Sequence, residues 1–202
     1  MENALFGLGG IILGAFIAIA KDWWFTRRSE KKDLEYLAIQ VSCMLENFAL
    51  VCEEVAFDDG LHQGLRTADG CKSIQVAAPE FDPERLDVVW QSLPSDIMYK
   101  ILNLPNEIRV VNRQISDVTE HVSGPPDYEE VFEARTIEYG LLGIKVMELV
   151  SDLRKLAQLP KEGIIEHDIC STLKQQIEKT KSIKADRSKR NAEFIASIRV
   201  KK

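Results

Sequence analysis

Residues 34–55 read LEYLAIQVSCMLENFALVCEEV. Leu34, Leu37, Val41, Met44, Phe48, Val51 and Val55 follow one another at alternating spacings of three and four. That repeat keeps side chains on one side of an α-helix. Ala38, Leu45, Ala49 and Cys52 form a second row beside the first, which widens the stripe to what a helix in a bundle buries. The pattern predicts a helix over about residues 29–57.

Towards the C-terminus the same register returns twice. Ile101, Leu104, Ile108, Val111, Ile115, Val118 and Val122 define a second helix, with Ser95 as its expected cap and Asp96 in its first turn. Pro105 lies inside it and is expected to kink or break it after Leu104, because the proline ring clashes with the carbonyl four residues back. Ser123-Gly124-Pro125-Pro126-Asp127 stops that helix. Tyr128, Phe132, Arg135, Tyr139, Leu142, Val146, Leu149, Leu153 and Leu156 begin the next. Gly140 and Gly143 weaken this third helix by about 1 kcal/mol each against alanine, and mark close approach of a neighbour. Leu159-Pro160 ends it, and a last helix is expected from Lys161, with Ile165, Ile169 and Leu173 on its apolar face.

Short connections between long helices force antiparallel neighbours. The expected fold is all-α: a single N-terminal transmembrane helix followed by an antiparallel bundle of about four long helices. An extended homo-oligomeric coiled coil competes, but hairpin loops and the absence of a strict flanking charge pattern count against it. Residues 58–83 break the helical pattern with Gly60, Gly64, Gly70, Pro79 and Pro83. Ser73–Ala77 is the one candidate strand there, and a loop so long is expected to be mobile and variable. Pro83 then opens a short helix to Leu93, carrying Leu86, Val89 and Trp90 on one side.

Towards the N-terminus, Ala4–Ala20 reads ALFGLGGIILGAFIAIA and contains no charged residue. As a helix it spans about 26 Å, near the lower limit for a hydrocarbon core of about 30 Å. Trp23, Trp24 and Phe25 follow, then Arg27 and Arg28, an interfacial belt that lengthens the span on that side. A cleavable signal peptide ending at Ala18-Ile19-Ala20 is the main alternative. Such a peptide carries its basic residues before the apolar run, and here they follow it. A buried core helix is disfavoured because the apolar surface runs all the way round. The positive-inside bias places Lys21 onward in the cytoplasm and the N-terminus outside. Gly10, Gly14 and Ala18 share one face and are the candidate site for self-association in the membrane.

Met1–Lys32 holds five Lys/Arg against three Asp/Glu, Asp33–Leu173 holds 11 against 26, and Lys174–Lys202 holds 10 against three. The net charges of +2, −15 and +7 make an acidic body with a basic tail. Three units follow: residues 1–28 as anchor and interfacial flank, 29–173 as the acidic helical domain, and 174–202 as the basic helical tail. Lys181, Lys184, Arg187, Lys189 and Arg190 are the candidate contacts for anion or lipid. Nucleic acid is a weaker expectation, since stacking aromatics are scarce there.

Cys43, Cys52, Cys71 and Cys170 show no CxxC spacing and read as reduced, mostly buried residues. His167 and Cys170 lie one helical turn apart, but two ligands do not make a zinc site. No Glu-x-x-His pair, phosphate loop or nucleophile elbow occurs. No catalytic, metal or cofactor residue is assigned and no small-molecule substrate is evident. The expectation is a non-enzymatic, single-pass membrane protein with a cytoplasmic interaction domain, whose partners are membrane lipid and either itself or another protein. The alternative is a membrane-acting effector or sensor component that oligomerises through its anchor.

Overall fold

The computed structural model describes the backbone of residues 2–160 and 168–200, and the side chains of residues 14, 16–160 and 168–197. Among the described residues the chain is all-helical, with four α-helices and no strand. α1 spans Glu2–Ala56, α2 Ser95–His121, α3 Glu129–Leu156 and α4 Ile169–Val200. The expected anchor and the first domain helix are one uninterrupted helix of 55 residues. The boundaries read at residues 28 and 173 fall inside α1 and α4, so neither is a hinge of irregular chain.

α3 is the centre of the fold and touches each of the other three helices. Its buried set, from Val131 to Leu153, covers more than one side because it faces α1, α2 and α4 together. Glu46 lies against Arg154, Cys52 against Gly143, and Ala56 against Thr136. α1 and α3 therefore run in opposite directions. Gly143 meets Leu173, Gly140 meets Ile177, and Glu133 meets Arg187, so α4 is also antiparallel to α3. Lys145 bonds Glu107 and the Tyr139 hydroxyl donates to Asn112, which orients α2 likewise.

The close approach read from the two glycines is present. A Cβ on Gly140 would lie 2.9 Å from Ile177 Cδ1, and one on Gly143 would lie 2.8 Å from Leu173 Cδ1 and 3.1 Å from Cys52 Cβ. The flanking row on α1 proves the more deeply buried: Ala38, Leu45, Ala49 and Cys52 are fully enclosed, while Leu34, Met44 and Val51 are half-buried.

Helix α2 runs through Pro105 and is not broken after Leu104. Three further local expectations fail. Pro94, not Ser95, stands at its N-cap, with no side-chain cap bond. Instead of one short helix over 83–93 there are two 3-10 turns, Pro83–Arg85 and Trp90–Ser92, the first capped by the Asp82 side chain. Ser73–Ala77 forms no strand, because the amides of Gln75 and Val76 donate to the Asp58 carboxylate at 3.0 and 3.1 Å. The last helix is described from Ile169, and residues 161–167, where it was expected to begin, lie outside the described residues.

That carboxylate also organises the long loop expected to be mobile. Asp58 accepts from Gly60 N at 3.0 Å and pairs with Arg135 of α3 at 3.6 Å, with both side chains nearly dry. Arg135 donates onward to the Val76 carbonyl and lies over the Tyr139 ring. Burial lowers the Arg135 pKa, and the Asp58 charge opposes that shift. Gly60 has φ +75°, and a Cβ there would enter the Phe132 ring, so glycine is required on both counts. At the loop's far end Lys72 N donates to Pro126 O at 2.9 Å, and Arg66 pairs with Asp127. The loop is laced to the α2–α3 turn and to the first turns of α3.

Candidate functional site

One helix near the N-terminus is long and apolar enough, by length and composition, to cross a membrane. Where α1 leaves the core, its character changes. Leu37 is its first buried residue, and the described side chains from Gly14 to Lys32 are all exposed. Among them are Phe16, Ile17, Ile19, Trp23, Trp24 and Phe25, each more than half exposed. At about 100° per residue those six positions surround the helix axis, so no single protein neighbour can cover them. An all-round apolar helix surface is stable in lipid rather than in water.

The Arg27 guanidinium lies 4.3 Å from the Trp23 ring centroid, and Lys21 Nζ lies 5.8 Å from that of Phe25. Each stacks its cation on an aromatic face. Trp24 and Arg28 are exposed on the same turns. Gly14 meets no atom within 4 Å and Ala18 is exposed, while the surroundings of Gly10 lie outside the described side chains.

The basic tail divides at Arg187. Ile169, Leu173, Ile177 and Thr180 pack on the core, and from Lys181 to Ser197 only Arg187 is even half-buried. Arg187 bridges Glu129, Glu130 and Glu133 of α3, donating to Glu133 Oε2 at 2.7 Å. Burial raises the Glu133 pKa, and the Arg187 charge and hydrogen bond oppose that rise. For Arg187 burial pushes its pKa down, but the three glutamates outweigh it and hold it above the usual arginine range. Lys181 pairs with Glu178 at 3.0 Å, whereas Lys184, Lys189 and Arg190 stand on the exposed surface. The five candidates thus separate into one structural clamp and a set of outward cations.

Nothing comparable assembles for chemistry. Among the described residues no three His, Cys, Asp or Glu side chains gather into a metal-holding group. His62 sits in a tight loop bridge with Leu65, His121 Nδ1 lies 3.1 Å from Asp117 O, and His167 falls outside the described residues. All four cysteines are free, and Cys43 is exposed where burial was expected. Burial pushes the Cys52 thiol up, so it stays protonated. Two surface hollows among the described residues are open grooves. One, of about 470 Å³ between α2 and α3, is lined by Val110, Leu141 and Leu142 and bridged by Glu107 and Lys145. The other, of about 530 Å³, lies between Phe81 and Arg85 of the loop and Arg109 of α2.

Two features escape sequence reading: the Asp58 junction and the three-glutamate clamp on Arg187. Arg135 is the one legible sign, since it stands in the apolar register of α3. No protein-family model, curated protein or solved structure matches the chain.

Proposed function

We propose that this chain is a non-enzymatic, single-pass membrane protein that presents a helical interaction domain to the cytoplasm. Residues 4–20 form the uncleaved anchor with the N-terminus outside, and the four helices form an antiparallel bundle at the cytoplasmic face. The observation that carries this reading is the all-round apolar exposure of α1 before Leu37, continuous with a core-forming helix after it. A soluble domain has no use for such a segment, and a cleaved leader has no reason to share one helix with the core. The cation-on-indole contacts at Trp23 and the positive flank support the orientation. The interaction role is supported by unpartnered apolar side chains on the outer faces, among them Tyr99, Leu102 and Val110 of α2.

Alkaline carbonate extraction tests the anchor. The full chain should remain in the membrane pellet at its uncleaved mass. Ile11→Lys with Ile12→Lys should release it, since each cation at mid-membrane costs about 2.5–3.5 kcal/mol. Wild type in the supernatant, or a mass lacking residues 1–20, would contradict the proposal.

The second reading, an effector that oligomerises through its anchor, is favoured by the open surface at Gly14 and Ala18. Dye leakage on expression, abolished by Gly10→Leu and Gly14→Leu, would select it.

A further inference from the structure

The contacts that tie the helices together also fix where the basic tail points. α1 runs outward from the anchor, and its last residue Ala56 is level with Gln176, whose side chain donates to the Ala56 carbonyl. α4, antiparallel to α3, therefore runs in the same direction as α1. From Trp24 to Ala56 a helix rises about 48 Å, and from Gln176 to Arg190 a further 21 Å or so. Under the anchoring proposed above, Lys189 and Arg190 stand roughly 70 Å from the interfacial belt, several Debye lengths beyond the reach of their own bilayer.

At that end α4 has outrun its support. α3 begins at Glu129, opposite Arg187, so everything beyond Arg187 projects past the core. The core-facing stripe of α4 does not end there. It continues through Arg187 to Phe194, which is 66% exposed, with Ile195 beside it at 52%. Lys189 and Arg190 stand within the two turns before these side chains, with Glu193 next to Phe194. The protein itself shows what a cation on this stripe takes: where α3 is present, it offers Arg187 three glutamates.

We infer that the projecting part of α4, from Lys189 to Ile195, is a docking surface for a protein partner that presents an acidic, amphipathic helix. The partner would continue the line of α3 beyond Glu129, covering Phe194 and Ile195 and pairing with Lys189 and Arg190. A second tail in the same place brings Lys189 and Arg190 against their own copies. Nucleic acid finds a single stacking ring, Phe194, and a long polyanion also meets a body of net charge −15. A short acidic helix meets only the tail. The choice of a protein partner over the chain's own bilayer rests on the proposed anchoring.

The test places a photo-crosslinking phenylalanine analogue at position 194 of the full chain, in the cells the protein comes from, with the same probe at Tyr99 as control. One discrete protein adduct is expected, its crosslinked peptide net acidic, absent from the control and reduced at least fivefold by Lys189→Glu with Arg190→Glu. Both replacements are on exposed helix surface, and unchanged helical circular dichroism would establish that the fold is kept. No protein adduct, an adduct to lipid or nucleic acid, or a protein adduct that survives charge reversal would overturn the inference. Carbonate extraction of the same cells reports separately on the anchor, so the two proposals fail distinguishably.

Discussion

Single residues set the tightest constraints where α3 meets its neighbours. A Cβ on Gly143 would meet Leu173 Cδ1 at 2.8 Å and Cys52 Cβ at 3.1 Å, and one on Gly140 would meet both Cγ1 and Cδ1 of Ile177 at 2.9 Å. Alanine gains about 1 kcal/mol of helix propensity at either site. Overpacking offsets that gain by roughly 1–3 kcal/mol where the neighbour cannot give. Urea denaturation should therefore show both Gly143→Ala and Gly140→Ala less stable than wild type. Asp58 is the second constraint, since it satisfies three backbone amides and the buried Arg135. Asp58→Ala leaves a buried guanidinium without its counter-ion, a loss of about 3–5 kcal/mol. Amide exchange should accelerate first at Gly60, Gln75 and Val76. Arg135 in an apolar register was visible in the sequence. Its partner was not, because 77 positions separate them and no local pattern encodes a contact made by folding the loop back.

At the scale of elements, the helices were legible and their ends were not. The three-four repeat located α2 and α3 and placed their buried faces, because that periodicity is imposed by the core itself. Local rules put the cap at Ser95, where Pro94 stands instead, and allowed a break at Pro105, through which α2 continues. The loop over 58–83 looked unstructured because its order comes from side chains reaching to α3 and from turns at Gly60 and Gly70. The docking of α4 includes, beside its buried apolar side chains, one clamp with a stated pH sense. Glu133 has a folded pKa above its ordinary value, so the stability it contributes is full below the unfolded pKa. That stability is lost as pH rises through the folded pKa. Arg187 limits the loss by opposing the rise. Arg187→Gln should move the Glu133 titration, followed by NMR at its side-chain carboxyl, to higher pH, and loosen α4 most at neutral pH. An unmoved titration would mean that burial alone governs Glu133.

For the whole molecule, the decisive feature is one helix with two characters. Before Leu37 its described apolar side chains are exposed all round, after it a stripe is buried, and no break lies between them. Charge changes near residue 28 while helical continuity does not. Under the proposed anchoring, a continuous helix holds the domain at a fixed stand-off and places the acidic body between the membrane and the basic tail. The most direct test uses Cys43, which is exposed and lies beyond the membrane belt. In a chain carrying Cys71→Ser and Cys170→Ser, a membrane-impermeant maleimide should leave Cys43 unmodified in intact cells. It should modify Cys43 after permeabilisation, with the protein recovered in the carbonate-resistant pellet. Modification in intact cells would place the domain outside the cytoplasm and contradict the account.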